Sequence, residues 1–183
     1  MDFQMGFWHP FGPHGGQSGA EILARKQREI DANGWTLWSF QARPMLKDWI
    51  REIRLGRPNA VAVFCSDGKG AKDPPGAPIP CLRYRFVEDS TWRLLPDAVS
   101  VPHPFRARTT EASAFVVERI VVDPVEPFGP AEWFLKGGAW QHQGIPTHGE
   151  YLIRPGKGER LRRYRAVLAL RDPYLAVVSS APV

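Results

Sequence analysis

A chain of 183 residues, 43% of them apolar, is long enough to bury one sizeable core and too short to favour two, so we expect a single domain over residues 1–183. It has 24 Lys and Arg residues against 19 Asp and Glu, a formal charge of +5, which permits an RNA or DNA partner without requiring one. It contains no run of about 18 uncharged apolar residues and no secretory signal pattern, so we expect a cytoplasmic protein with no membrane partner. Two cysteines are too few for a disulfide framework or a four-ligand zinc site, and we expect no metal and no cofactor.

The first helix has clear start and stop signals. Residues 1–17 are rich in glycine, proline and aromatic side chains, and we expect an irregular segment packed on the domain. Ser18 and Glu21 form the pattern of a capping box, and Asn33 followed by Gly34 predicts the helix end. Its buried stripe is expected to contain Ala20, Leu23, Ala24 and Ile30, and its other faces Arg25, Lys26, Arg28 and Glu29.

A strand and a second helix are predicted next. In "WTLWSFQ", residues 35–41, a period of two places apolar side chains on both faces, which predicts a central strand. Residues 46–53 carry apolar side chains at helical spacing and predict a short amphipathic helix that ends at Gly56 and Pro58.

The remainder of the chain predicts strands. "NAVAVFCSD" and "CLRYRFVED" flank a Gly/Pro-rich link, residues 67–80, which we interpret as a long hairpin loop between antiparallel strands. Further strands are predicted in "SAFVVERIVVDP", "EWFLKG", "EYLIRP" and "YRAVLALRDPYLAVV". The expected fold class is α+β, with a mixed or antiparallel, barrel-like sheet and two helices.

The order of these elements resembles the PUA-like superfamily, which includes EVE and ASCH domains. The segment "WSFQARP", residues 38–44, is similar to the first-strand motif of EVE domains in Trp38, Phe40, Gln41 and Pro44, while Arg43 stands where that family usually has Asn. The resemblance implies a small barrel whose cleft receives a nucleobase between aromatic side chains.

The leading functional hypothesis is therefore noncatalytic binding of nucleic acid or a nucleobase-like ligand. Trp38 and Trp140 are the expected stacking residues, and Gln41 and His142 would bond the edge of the base. A basic block late in the chain would contact the phosphate backbone, although such a block is also typical of a solvated strand edge. Its arginines are Arg160, Arg162, Arg163 and Arg165.

The glycine-rich stretch before the first helix has two interpretations. His14, Gly15, Gly16 and Ser18 lie at a helix N-terminus, where free amides and the helix dipole favour an anion. Ordinary capping is the other interpretation, and the stretch lacks the Gly-Lys-Ser/Thr ending of a phosphate-binding P-loop.

Two alternative functions remain open. One is a small hydrolase or metal-dependent enzyme built on loop residues that could act as ligands, acid and base: His14, His142, His148 and Glu150. The other is a protein-interaction module that forms a homodimer through the aromatic side chains of residues 3–11.

Overall fold

The computed structural model of the chain describes residues 6–11, 18–40, 60–65, 83–97, 99, 111–122, 133–135, 151–155 and 166–179. These residues form one helix and nine strands. In chain order the elements are β1 (Gly6–Phe11), α1 (Gly19–Asn33), β2 (Thr36–Phe40), β3 (Ala60–Cys65), β4 (Arg83–Phe86), β5 (Arg93–Leu94), β6 (Glu111–Val122), β7 (Trp133–Leu135), β8 (Tyr151–Pro155) and β9 (Ala166–Ser179).

The antiparallel pair of β6 and β9 forms the middle of the sheet. These two strands are 12 and 14 residues long and are dominated by valine, alanine, leucine and isoleucine. Their apolar stretches, residues 113–117 and 166–170, are buried on both faces, as such runs predict. The path of paired strands is β2-β6-β9-β3-β1-β8-β7, and β4 pairs with β9 and with β5.

One edge of β9 carries two strands in succession. β3 pairs with its beginning, residues 166–169, and β4 pairs with its end, residues 176–179. Both run antiparallel to β9, so β3 and β4 run in the same direction and do not form the antiparallel hairpin that the sequence predicts. The physical reason is the length of β9, which accommodates two short strands end to end.

The sheet is mixed, as one of the two predicted alternatives required, because β1 and β3 are parallel while the other pairs are antiparallel. With α1 packed on it, the described part of the chain has an α+β fold. Within that part the two ends of the strand path, β2 and β7, do not pair with each other, so the described strands form an open sheet. The predicted second helix, residues 46–53, lies outside the described residues.

The prediction for the N-terminal segment was wrong in one respect. Residues 6–11 were expected to be irregular, but they form β1, which pairs with β3 through His9–Phe11 and with β8 through Gly6–Trp8. Bulky aromatic residues favour strands, and pairing with two strands of the same chain outweighs the local glycine and proline. Self-association through this segment stays a prediction.

The two faces of the sheet carry two separate apolar clusters. On one face, Trp38, Phe115 and Leu168 pack with Leu23 and Ile30 of α1. The opposite face, formed by neighbouring residues of the same strands, includes Leu37, Tyr84, Val99, Val116 and Val178. Each cluster therefore extends along β2, β6 and β9 on its own face, and the sheet separates one cluster from the other.

The position predicted for β2 requires correction. Its side chains Leu37 and Trp38 point to opposite faces and are both fully buried, as the apolar pattern indicates. Among the described residues, however, β2 pairs only with β6, so it lies at the end of the strand path. Apolar residues on both faces of a strand indicate that both faces of the sheet are covered there. They do not indicate how many strands pair with that strand.

Helix α1 begins and ends where the sequence predicts. The Ser18 hydroxyl accepts a hydrogen bond from the Glu21 amide at 3.3 Å, and the Ser18 amide donates to the Glu21 carboxylate at 2.7 Å. Gly34 ends the helix with a left-handed φ of 77°, a conformation that favours glycine, and its amide donates to the Ile30 carbonyl at 2.6 Å.

The buried face of α1 differs from the predicted stripe. Ala20 and Ala24 are exposed, whereas Lys26 and Glu29, which were assigned to the solvent side, are buried. The side chains that face the sheet are Ile22, Leu23, Lys26, Glu29 and Ile30.

Among the described residues, no helix has the length and apolar character needed to cross a lipid bilayer.

We expect Ser18→Ala to lower the free energy of unfolding by about 0.5–2 kcal/mol, because it removes the side chain that accepts the Glu21 amide. Urea denaturation followed by circular dichroism measures the loss. The matched control is Ser90→Ala, at an exposed turn position, which should stay within about 0.5 kcal/mol of the parent. Equal effects of the two substitutions would contradict the role of the cap.

Candidate functional site

A buried ionic cluster lies between α1 and β2. The Lys26 ammonium is 2.7 Å from a carboxylate oxygen of Glu29 and donates to the Thr36 hydroxyl at 3.2 Å. That hydroxyl donates to the same Glu29 oxygen, so each of the three side chains contacts the other two. Lys26 and Thr36 have no exposed surface, and Glu29 retains 4%.

The cluster supports the structure and offers no access to a substrate. A buried charge is costly unless it is paired and hydrogen-bonded, and here each charged group has both kinds of contact. Arg25 lies at 3.7 Å from the other Glu29 oxygen. Burial lowers the pKa of the Arg25 guanidinium, while the negative charge of Glu29 opposes that shift and the positive charge of Arg28 adds to it.

A second candidate lies on the β4–β5 hairpin, where two arginines stack on one tryptophan. The guanidinium carbon of Arg83 is 4.2 Å from the centre of the Trp92 ring, and that of Arg85 is 5.2 Å from it. Both distances are within the range of cation–π attraction, about 6 Å. We call Arg83, Arg85 and Trp92 the hairpin surface. All three residues are partly buried.

The strand register explains why these side chains meet. Directly opposed residues of antiparallel strands place their side chains on the same face. Arg83 is opposite Leu94, and Tyr84 is opposite Arg93, so the next position, Trp92, comes beside Arg85. Arg83 and Arg85 are two residues apart on β4 and therefore share one face of the strand.

The same register places the hairpin surface on the face of the sheet against which α1 packs. Arg85 is opposite Val177 of β9, which is opposite Ser113 of β6. Phe115, two residues beyond Ser113, packs in the cluster under α1. The hairpin surface thus continues that face toward the β4 end of the sheet.

The other face of the hairpin is aromatic and belongs to the second core cluster. The rings of Trp35 and Tyr84 are 5.5 Å apart, and those of Tyr84 and Phe86 are 5.6 Å apart in an edge-on arrangement. The guanidinium of Arg93 lies 5.3 Å from the Phe86 ring. Tyr84 is buried and anchors this row, while Trp35, Phe86 and Arg93 are partly buried.

Asp89 organises the turn between β4 and β5. Its carboxylate accepts from the Thr91 amide at 2.7 Å and pairs with the Arg93 guanidinium at 2.5 Å. Its backbone carbonyl accepts from Arg85 at 3.2 Å, so one residue contacts the arginines of both faces. The hydrogen bond from the Thr91 amide lowers the pKa of Asp89, partial desolvation opposes the shift, and Arg93 adds to it.

The hairpin surface and the buried cluster were not predicted from the sequence, although local patterns indicate both. "RYRF" alternates arginine with an aromatic residue, which at the period of a strand separates two arginines onto one face. In α1, Lys26 and Glu29 have opposite charges three residues apart, and Lys26 falls between Leu23 and Ile30 at helical spacing. Both signals were present in the chain.

Two of the predicted site residues lie in the described part of the chain. Trp38, a predicted stacking residue, has no exposed surface and packs with Phe115 in the core, so its stacking role is corrected to a core role. The Ser18 hydroxyl and amide both donate to Glu21, which places a carboxylate of the chain itself at the helix start and favours the capping interpretation. These two contacts lower the pKa of Glu21.

The other predicted site residues lie outside the described residues. These are Gln41, Trp140, His142, Arg160, Arg162, Arg163 and Arg165 of the ligand and backbone sites, His14, Gly15 and Gly16 of the anion site, and His148 and Glu150 of the enzymatic alternative. Within the described ranges, no group of three or more His, Cys, Asp or Glu side chains is placed to hold a metal ion.

Comparison with known proteins found no matching family model, no matching curated protein and no matching solved structure.

The buried cluster predicts a strong coupling between Lys26 and Glu29. Lys26→Met alone should lower the free energy of unfolding by about 3–5 kcal/mol, because it leaves a buried carboxylate without its closest cation. The double variant Lys26→Met/Glu29→Leu should lose less than the sum of the two single variants. A urea-denaturation double-mutant cycle measures the difference.

The exposed pair of Gln27 and Asp31 on the same helix is the control for this cycle. Gln27→Ala should change stability by no more than about 0.5 kcal/mol. Additive losses for Lys26 and Glu29 would mean that each side chain contributes only its own packing, and the interpretation of a paired cluster would then be wrong.

Asp89→Asn should reduce stability at neutral pH and have no effect in acid. The folded-state pKa of Asp89 lies below its unfolded value, so the carboxylate stabilises the hairpin above an unfolded pKa of about 4. That stabilisation is lost as the pH falls through the lower, folded-state pKa. Thermal unfolding midpoints from neutral pH down to strong acid test this, with the exposed carboxylate variant Asp97→Asn as control. A difference between Asp89→Asn and the parent that is independent of pH would contradict it.

Proposed function

We propose that the protein binds nucleic acid or a nucleobase-like ligand without catalysis, and that the hairpin surface is one of its contacts. The observation that supports this is the position of two guanidinium groups, Arg83 and Arg85, within cation–π distance of the Trp92 ring. A flat aromatic ring and flat, permanently charged groups are concentrated at one place on a strand pair.

The chemistry of these groups matches a nucleotide. A guanidinium can donate two parallel hydrogen bonds to a phosphate, which an ammonium cannot do. Bases stack on aromatic rings and on guanidinium planes, and each stacked base contributes roughly 1–3 kcal/mol. The formal charge of +5 adds a long-range attraction for a polyanion.

Asp89 and Glu111 are two acidic residues near the hairpin surface. The Asp89 carboxylate pairs with Arg93, whose side chain belongs to the other face of the hairpin. Glu111 shares the face of Arg83, but Ser179 of β9 lies between them, which separates their strands by about 9.6 Å.

The proposal includes the residues that the sequence analysis selected outside the described ranges. Gln41, Trp140 and His142 would contact the base, and a basic block would contact the phosphates. That block consists of Arg160, Arg162, Arg163 and Arg165. The PUA-like resemblance of residues 38–44 points to the same class of ligand.

The test is binding of fluorescein-labelled oligonucleotides, followed by anisotropy between about 50 mM and 200 mM salt. We expect affinity to fall steeply with salt, and Arg85→Ala to reduce the slope of log affinity against log salt by about 0.7–1, the value for one lost phosphate contact. Trp92→Ala should weaken binding by about 5-fold to 100-fold through lost stacking.

Arg119→Ala is the matched control, because it removes the same charge from an exposed position on β6. An equal loss in Arg119→Ala and Arg85→Ala would show that only net charge matters and would contradict the proposed contact. Cation–π contacts also stabilise the hairpin, so unfolding midpoints are measured for every variant, and Trp92→Phe, which keeps a ring, should retain most of the binding.

A further inference from the structure

We infer that the hairpin surface selects unpaired strands, and that its ligand is single-stranded nucleic acid contacted through one nucleotide at a time. This inference rests on the proposed function and specifies its substrate class. The observation behind it is that the charged groups and the aromatic ring occupy the same place, since both guanidinium carbons lie within 5.2 Å of the centre of one ring.

A duplex cannot satisfy both kinds of contact at one place. In double-stranded nucleic acid the faces of the bases are covered by their neighbours, and only base edges reach the grooves, while the phosphates lie on the outside. A site of this kind would contact the phosphates of a duplex, but no base would stack on its aromatic ring. In an unpaired strand, one nucleotide offers a bare base face and its own phosphate to a single compact surface.

The geometry of β4 and its turn supports this selection. Arg83 and Arg85 are separated by two residues of an extended strand, about 6.6 Å, so their backbone positions are fixed by the sheet. Arg85 is oriented further, because one of its amino groups donates to the Asp89 carbonyl. A guanidinium has five N–H donors in a rigid plane, so this contact leaves Arg85 with further donors for a phosphate.

Trp92 offers an aromatic ring close to both guanidinium groups. Trp92 is partly buried and is held by the turn that Asp89 organises through the Thr91 amide. A base that binds here contacts the Trp92 ring, and an aromatic ring is a sequence-tolerant stacking partner. The expected ligand is therefore any accessible unpaired strand, with little preference for a particular base.

The experiment compares three labelled ligands of equal length at one salt concentration. They are a single strand, its duplex, and an abasic strand that keeps the phosphates but lacks the central bases. The parent protein should bind the single strand at least 10-fold more tightly than the duplex and the abasic strand. Trp92→Ala should bind the three ligands within about 3-fold of one another, because only the phosphate contacts remain.

Arg85→Ala separates charge from stacking. It should weaken binding to all three ligands by a similar factor and keep the preference for the single strand, whereas Trp92→Ala should remove that preference. Trp92→Phe should preserve the preference, and it keeps the test valid where Trp92→Ala does not fold.

Two results would overturn the inference without touching the proposed function. One is salt-sensitive binding of the parent to the duplex that equals or exceeds its binding to the single strand. The other is equal binding of the abasic and the normal single strand, which would show that the surface binds the phosphates alone and that stacking makes no contribution. Failure to bind any of the three ligands at low salt would instead overturn the proposed function itself.

Discussion

The antiparallel pairing of β6 with β9 is the constraint on which the other described elements depend. β6 occupies one edge of β9 over nearly its whole length, and the other edge is shared by β3 and β4. Through β3 the sheet extends to β1, β8 and β7, and through β4 it extends to β5. Among the described strands, β6 and β2 join the others through β9, so the loss of the central pair would separate them from the rest of the sheet. The two apolar clusters, which lie on opposite faces of the same strands, would lose their shared backbone at the same time.

The contact between α1 and the sheet includes a buried ion pair, although apolar side chains are the usual contents of such a contact. Lys26, Glu29 and Thr36 form a closed set of contacts at the point where the helix crosses β2. Such a set stabilises a fold less than well-packed apolar side chains do, but it tolerates few arrangements, because any shift of the helix leaves a charge without its partner. We interpret the cluster as a device that specifies how α1 sits on β2.

Local patterns predicted the elements well and their arrangement poorly. The capping box of Ser18, the end of α1 at Gly34 and the strands β3, β4 and β6 to β9 follow from side chains that are close in sequence, and the α+β class follows from their order. The two-residue strand β5 was not predicted. The pairing of β3 and β4 with opposite ends of β9, and the position of β2 at the end of the described strand path, depend on contacts between residues far apart in the chain. A single sequence carries no direct record of such contacts. The burial of Lys26 was missed because charge was given more weight than its helical spacing between Leu23 and Ile30.

The same distinction explains why Trp38 is completely buried whereas Trp92 is only partly buried. Trp38 belongs to an apolar strand beside the longest strands of the sheet, so packing covers it completely. Trp92 lies in a turn-proximal segment that is paired through a strand of only two residues, so its ring stays partly accessible and arginines stack on it. The length of the strand near an aromatic residue, and its distance from the central pair, therefore influence how completely the ring is buried. Seven tryptophans in one chain make this criterion useful, because composition alone cannot separate fully buried rings from partly exposed ones.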